Sequence, residues 1–211
     1  MTPQSRAARS ESRLAAHGIA VNEALPPIAS DTDVVLRSHD EVLARLVALW
    51  AVVGKAMIGK ESRHAGYIIN HKMQPWLSTS ERKFILDKQP SKRDVVHFSW
   101  QIESLFFVAW CAGLLDADEI PVSESSVQPI LALFPQVAEL PDRLCSAICI
   151  RPLPDIVDRA DLLYRLHWAV RDDAARCADV DGGVVQEWRR VVNWMLRYQG
   201  EDDWDKVATD T

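Results

Sequence analysis

Apolar and polar positions recur with a helical period along most of the chain, and no segment alternates with the period of two that a strand requires. From about Pro3 to His17 the pattern predicts a short amphipathic helix, stopped by Gly18 where a helix end favours glycine. An extended stretch follows, Ile19 to Leu36, with Pro26-Pro27 inside it; it is expected to cross the body of the domain. Ser38-His-Asp-Glu41 has the form of a capping box. It opens a helix through Val42, Leu46, Leu49, Trp50 and Val53 that is apolar on most sides and therefore central. Gly54 to Gln74 is basic and carries no clear period. Ser78-Thr-Ser-Glu81 is a second capping box, starting a short helix to about Asp87. Ser91 to Asp94 caps a long helix that runs to Gly113 and places Trp100, Glu103, Phe107 and Trp110 on one face. Short helices and irregular chain are expected next, broken by six prolines from Pro121 to Pro154. Another long helix is expected from Asp155 to about Cys177. Gly182-Gly183 is read as the end of a loop, and Val184 to about Tyr198 as the last strong helix.

These elements predict an all-α fold: one compact helical bundle of about six to eight helices joined by irregular, Pro-rich connections. Residues 1–36 form an N-terminal helix and arm packed on the body, and residues 37–211 form the body itself. The length of 211 residues, 48% of them hydrophobic, allows one substantial core. Eight glycines leave little material for hairpins, which agrees with helices. Eight tryptophans are many for this length; indole rings bury large surfaces but need their N–H groups paired, so polar groups are expected at the edge of the core.

Charge changes the picture locally. The net charge of −6 argues against a nucleic-acid binder. Yet Gly54 to Arg93 holds nine Lys/Arg against three Asp/Glu, and the last eleven residues hold five Asp/Glu against one Lys. Either these are two solvated surfaces that face each other, or the basic one meets an acidic partner. Of Cys111, Cys145, Cys149 and Cys177, none forms a C-x-x-C pair. Cys145 and Cys149 stand one helical turn apart without a second ligand pair, so no metal and no cofactor is expected. Free thiols, a polar start from Met1 to Arg13 and the lack of a long apolar run predict a cytoplasmic protein without a membrane span.

Several blocks then appear in order: Phe98-Ser-Trp-Gln-Ile-Glu103, Ala160-Asp-Leu-Leu-Tyr-Arg-Leu-His-Trp168 with Arg171-Asp172, Gly183-Val-Val-Gln-Glu-Trp-Arg-Arg190 leading to Asn193-Trp194, and Asp203-Trp-Asp205 before Thr209-Asp-Thr211. Together, over nearly the whole chain, they resemble the bacterial domain-of-unknown-function family numbered 4272. The resemblance implies a single bacterial cytoplasmic domain and brings no catalytic residues with it.

The same blocks hold the polar residues set among aromatics. Asp161 and Arg165 are four apart and pair on one helix face, with Tyr164 and His167 beside them. Glu187, Arg190 and Trp194 share a face of the last helix, with Arg189 and Asn193 on a neighbouring one. Glu103, flanked by apolar residues, is expected either to pair with Arg165, Arg189 or Arg190 or to have a raised pKa. Trp204, among tail carboxylates, is expected to anchor the tail in a groove or to insert into a partner. No nucleophile elbow, phosphate loop or His-Glu-x-x-His occurs.

Two main functional readings are left, beside a third, a nucleic-acid contact through the Lys55–Arg93 patch. The first is a non-catalytic protein-interaction domain, an adaptor or a toxin-immunity protein, favoured by the aromatics and opposite-charge patches and by the lack of a catalytic constellation. The second is a small-ligand-binding protein or enzyme. There Glu103, Asp161, Arg165 and His167 would converge with Trp100, Trp168 and Trp194 on one polar pocket.

Overall fold

The computed structural model describes residues 1–118, 120–134, 140–172 and 179–210. Pro135, Cys177 and Thr211 lie outside them. The described residues contain nine α-helices and no strand. They are α1 (Pro3–Ala16), α2 (His39–Ile58), α3 (His64–Asn70), α4 (Thr79–Leu86), α5 (Lys92–Cys111), α6 (Val127–Leu133), α7 (Leu140–Ala147), α8 (Leu153–Arg171) and α9 (Gly182–Met195).

Both capping boxes form. The Ser38 N–H donates to the Glu41 carboxylate at 2.8 Å while the Glu41 N–H donates to Ser38 Oγ. Ser78 and Glu81 repeat the exchange at the start of α4. Each box glutamate has a second duty: Glu41 also accepts from Arg37 and Arg197, and Glu81 from Arg45. α2 continues through Gly54, where the His64 imbedding explains the missing side chain: a Cβ there would lie 2.2 Å from the imidazole. The basic stretch after it, unreadable by period, contains a 3-10 turn and the seven-residue α3.

α8 starts two residues earlier than expected, with Pro154 in its first turn, where a missing N–H costs nothing. It stops at Arg171, short of Cys177, because Asp172 is extended. α9 begins at Gly182 rather than Val184. Asp181 is its cap, taking the N–H groups of Gly183 and Val184 at 2.9 and 3.1 Å. Gly183 leaves room for Trp100, whose ring would lie 3.2 Å from a Cβ. α7 ends at Ala147, so Cys145 and Cys149 do not share a helix.

α2 and α5 pack along each other at the centre; α9 packs on both α5 and α8, and α1 on α8. Leu14 and Ile19 belong to the same apolar core as α2, α5, α8 and α9, which makes the N-terminal helix part of the one domain. Residues 20–36 cross α8 and α9 as an arm. Arg6, in α1, ties the arm down through Asp31 and also binds Asp158 of α8. The Arg37 N–H donates to the Met195 carbonyl at the other end. After α9 the chain turns sharply, with Arg197 and Gln199 at φ of +49° and +58°. The tail then docks: Trp204 is buried edge-on against Trp194, and Asp205 accepts from the Ser80 N–H at 2.8 Å. Tail carboxylates meet Arg37 and Arg197, which lie outside the basic 54–93 stretch, and among the described residues no ion pair joins the tail to a Lys or Arg of that stretch. No helix is long and apolar enough to cross a membrane among the described residues.

Candidate functional site

Among the described residues, those singled out in the sequence take several separate sets of partners. Glu103 is fully buried and pairs with no arginine among the described residues; it accepts from the Ser125 N–H at 2.8 Å and the Ser125 hydroxyl at 2.6 Å. The Trp188 indole lies beside the carboxylate without closing a hydrogen bond of ordinary geometry. Burial raises the Glu103 pKa, against the two Ser125 bonds. Arg165, also buried, bonds Asp161 at 3.1 Å and Glu11 of α1 at 2.6 Å. This triad straps α1 to α8. Glu187 accepts from Ser104 of α5 at 2.6 Å, with Arg190 at 3.6 Å. Trp194 and Trp204 form the tail anchor, covered by Arg37, Arg45 and Arg190. Trp168 packs half-buried on the core, while Trp100 lies at the surface over Gly183. Among the described residues, Glu103, Arg165 and His167 line neither of the two clefts described below. A serine in the loop after α5 and a glutamate in α1 take the places that the helix faces alone had suggested for one another.

Buried guanidinium groups show where a site remains open. Five arginines among the described residues have less than a tenth of their surface exposed: Arg6, Arg37, Arg45, Arg165 and Arg189. An ion taken out of water loses several kcal/mol unless a counter-charge and hydrogen bonds replace the solvent. Arg6 has Asp31 and Asp158, Arg37 has Glu41 and Asp202, Arg45 has Glu81, and Arg165 has Asp161 and Glu11. Arg189 is 3% exposed and has no carboxylate within salt-bridge distance among the described residues; its Nε is buried without a partner among them. Its guanidinium instead faces two rings, 4.9 Å from the centre of Tyr164 and 5.8 Å from that of Tyr198. Burial lowers its pKa to about 10, against the pull of the two tyrosines, Asp210 and Asp161, so it stays charged at neutral pH.

Arg189 lines a cleft of about 350 Å³. The arm supplies one wall with Pro26, Pro27 and Ile28, α8 a second with Val157, Ala160 and Tyr164, and α9 the floor with Arg189, Asn193 and Leu196; Tyr198 closes the end. The walls are thus mainly apolar around one cation, the composition of a site for a small molecule. His167 lies close by on α8. Burial first, then the charges of Arg189 and Arg171, lower its pKa to about 4 against the pull of Asp210, so it adds no positive charge at neutral pH. A cleft of about 410 Å³ beside Trp76, Trp194 and Trp204 is larger, but its arginines, Arg37 and Arg45, are already paired. The signals for the Arg189 site were in the sequence as Pro26-Pro27, Tyr164 and the Arg189/Asn193 face. Their meeting depends on the path of the arm, which no local pattern specifies.

The first three sequence blocks lie on α5, α8 and α9, around one core. A family model matches residues 6–207. The chain belongs to DUF4272, a domain of unknown function. Neither the curated proteins nor the solved structures compared with it give a match. The DUF4272 match takes in α1, the arm and the docked Trp204, so the cleft and all its walls fall inside the matched residues.

Proposed function

We propose that this chain is a small-ligand-binding protein and that the Arg189 cleft is its site. One observation carries the reading: alone among five buried arginines, Arg189 has no carboxylate partner among the described residues, and it faces a cleft of ligand size. A fold does not keep a solitary buried cation for stability, since an apolar residue there costs less. The free Cys145 and Cys149 and the buried Cys111, whose thiol burial pushes up to about 12, suit a reducing cytoplasmic setting. Ala29 stands exposed on the arm wall, so Ala29→Trp fills the mouth of the cleft without entering the core. In a thermal-shift screen of small neutral and anionic aromatic compounds, at least one compound should raise the melting temperature of the unaltered protein and leave Ala29→Trp unmoved. Equal shifts in both proteins, or none in either, would refute the reading.

A second reading, a protein-interaction domain of adaptor or immunity type, rests on a separate surface. Met57 and Ile58 at the end of α2, Ile69 on α3 and Leu86 at the end of α4 are exposed apolar side chains within the basic 54–93 stretch. An acidic protein partner fits that mixture. Near-stoichiometric capture of such a partner, lost on Met57→Glu with Ile69→Glu, is the expected result; capture unchanged by the pair of charges counts against it.

A further inference from the structure

The chemistry of the cleft narrows its ligand, on the reading that the cleft is a site at all. Arg189 is the only cation among the residues that line it, and Asp33, exposed on the rim and held by the Thr32 hydroxyl at 3.2 Å, is the only acid. Neither the Tyr164 nor the Tyr198 hydroxyl forms a hydrogen bond among the described residues. One guanidinium fork and two phenol donors are therefore unspent at one end of the cleft. A guanidinium binds a planar carboxylate through two parallel N–H bonds, and charge-assisted bonds of this kind strengthen where water is excluded.

The rest of the cleft sets what is attached to that head. Pro26, Pro27, Val157 and Leu196 offer no donor or acceptor from their side chains, so a polar body would lose its hydration without return. A flat ring recovers contact against the proline and tyrosine faces. A phosphate dianion fits less well. With His167 neutral beside the site, a second negative charge would enter a desolvated space with one positive charge to meet it.

We propose that the Arg189 cleft binds a monocarboxylate carried on a flat apolar body, with Arg189 and the two tyrosine hydroxyls holding the carboxylate. The class is that of aromatic acids; the neutral amide of the same ring shares its shape and lacks its charge.

The test is a calorimetric titration of the full chain with 2-naphthoate, 2-naphthamide and inorganic phosphate, repeated on Arg189→Met and on Arg189→Lys. Naphthoate should bind at least ten times more tightly than naphthamide, and phosphate should give no heat of binding. Arg189→Met should lose that preference while still binding naphthamide as the unaltered protein does, and Arg189→Lys should recover part of it, because a point charge replaces the fork. Equal binding of naphthoate and naphthamide overturns the carboxylate assignment and leaves a ligand cleft standing. Phosphate bound as tightly as naphthoate overturns the flat apolar body. No binding of any probe to the unaltered protein, with no shift in the thermal screen either, removes both the assignment and the site. Circular dichroism of each variant distinguishes lost binding from lost fold; should Arg189→Met not fold, a Tyr164→Phe and Tyr198→Phe double variant must weaken naphthoate more than naphthamide.

Discussion

Arg165 and Arg189 stand on neighbouring helices at the same depth, 1% and 3% exposed, and their surroundings are opposite. Arg165 is closed off by Asp161 on its own helix and Glu11 on α1. Arg189 looks at two tyrosine rings and a cleft. Burial alone thus does not distinguish an arginine closed off by counter-charges from one left facing a cleft; the completeness of the partners does. The first region has its counter-charges built in. The second offers a charge to whatever enters.

The contrast breaks most visibly by removing each cation. Arg165→Met leaves Asp161 buried without its partner, and loss of one member of a buried pair costs about 3–5 kcal/mol; urea unfolding should show that loss. Arg189→Met removes a charge with no carboxylate at salt-bridge distance among the described residues, and its stability should stay within about 1 kcal/mol of the unaltered protein or rise above it. Equal losses at the two positions would erase the distinction. His167 gives a finer reading. Its folded pKa of about 4 lies below the ordinary 6.5, so the folded state resists protonation. The stability this group contributes is complete above pH 6.5 and lost as the pH falls through about 4. Its ring protons should titrate near pH 4 by NMR. Arg189→Met, by deleting a neighbouring cation, should move that midpoint upward; a midpoint unchanged by the substitution would mean that Arg189 is not the charge that His167 senses.

What the sequence disclosed follows the distance over which its signals act. Ser38–Glu41 and Ser78–Glu81 are local, and both helices start where those boxes place them. Asp161 and Arg165 are four residues apart and do pair. Glu11, which completes that pair, lies 154 residues from Arg165 and sends no local signal. Glu103 was readable as a carboxylate in apolar surroundings, but its partner, Ser125, comes from a loop whose course is set by packing. Trp204 was readable as an anchor because a large ring among carboxylates has few other uses, and it is buried against Trp194. The cleft needs the arm, α8, α9 and the turn at Tyr198 together, four segments without a shared period. Gly182-Gly183 misled for a local reason: two glycines read as loop, while Asp181 before them caps the helix that they begin.

Glu81 joins two kinds of order. It closes the capping box of α4 and it holds Arg45, whose guanidinium lies 4.6 Å from the Trp204 ring, while Asp205, the next residue after Trp204, takes the Ser80 N–H. The first turn of α4 is therefore completed in part by a residue 125 positions away. The Ser80 amide hydrogen should exchange with solvent only when the tail lifts off, so opening at this position and release of the chain's last segment are a single event rather than two.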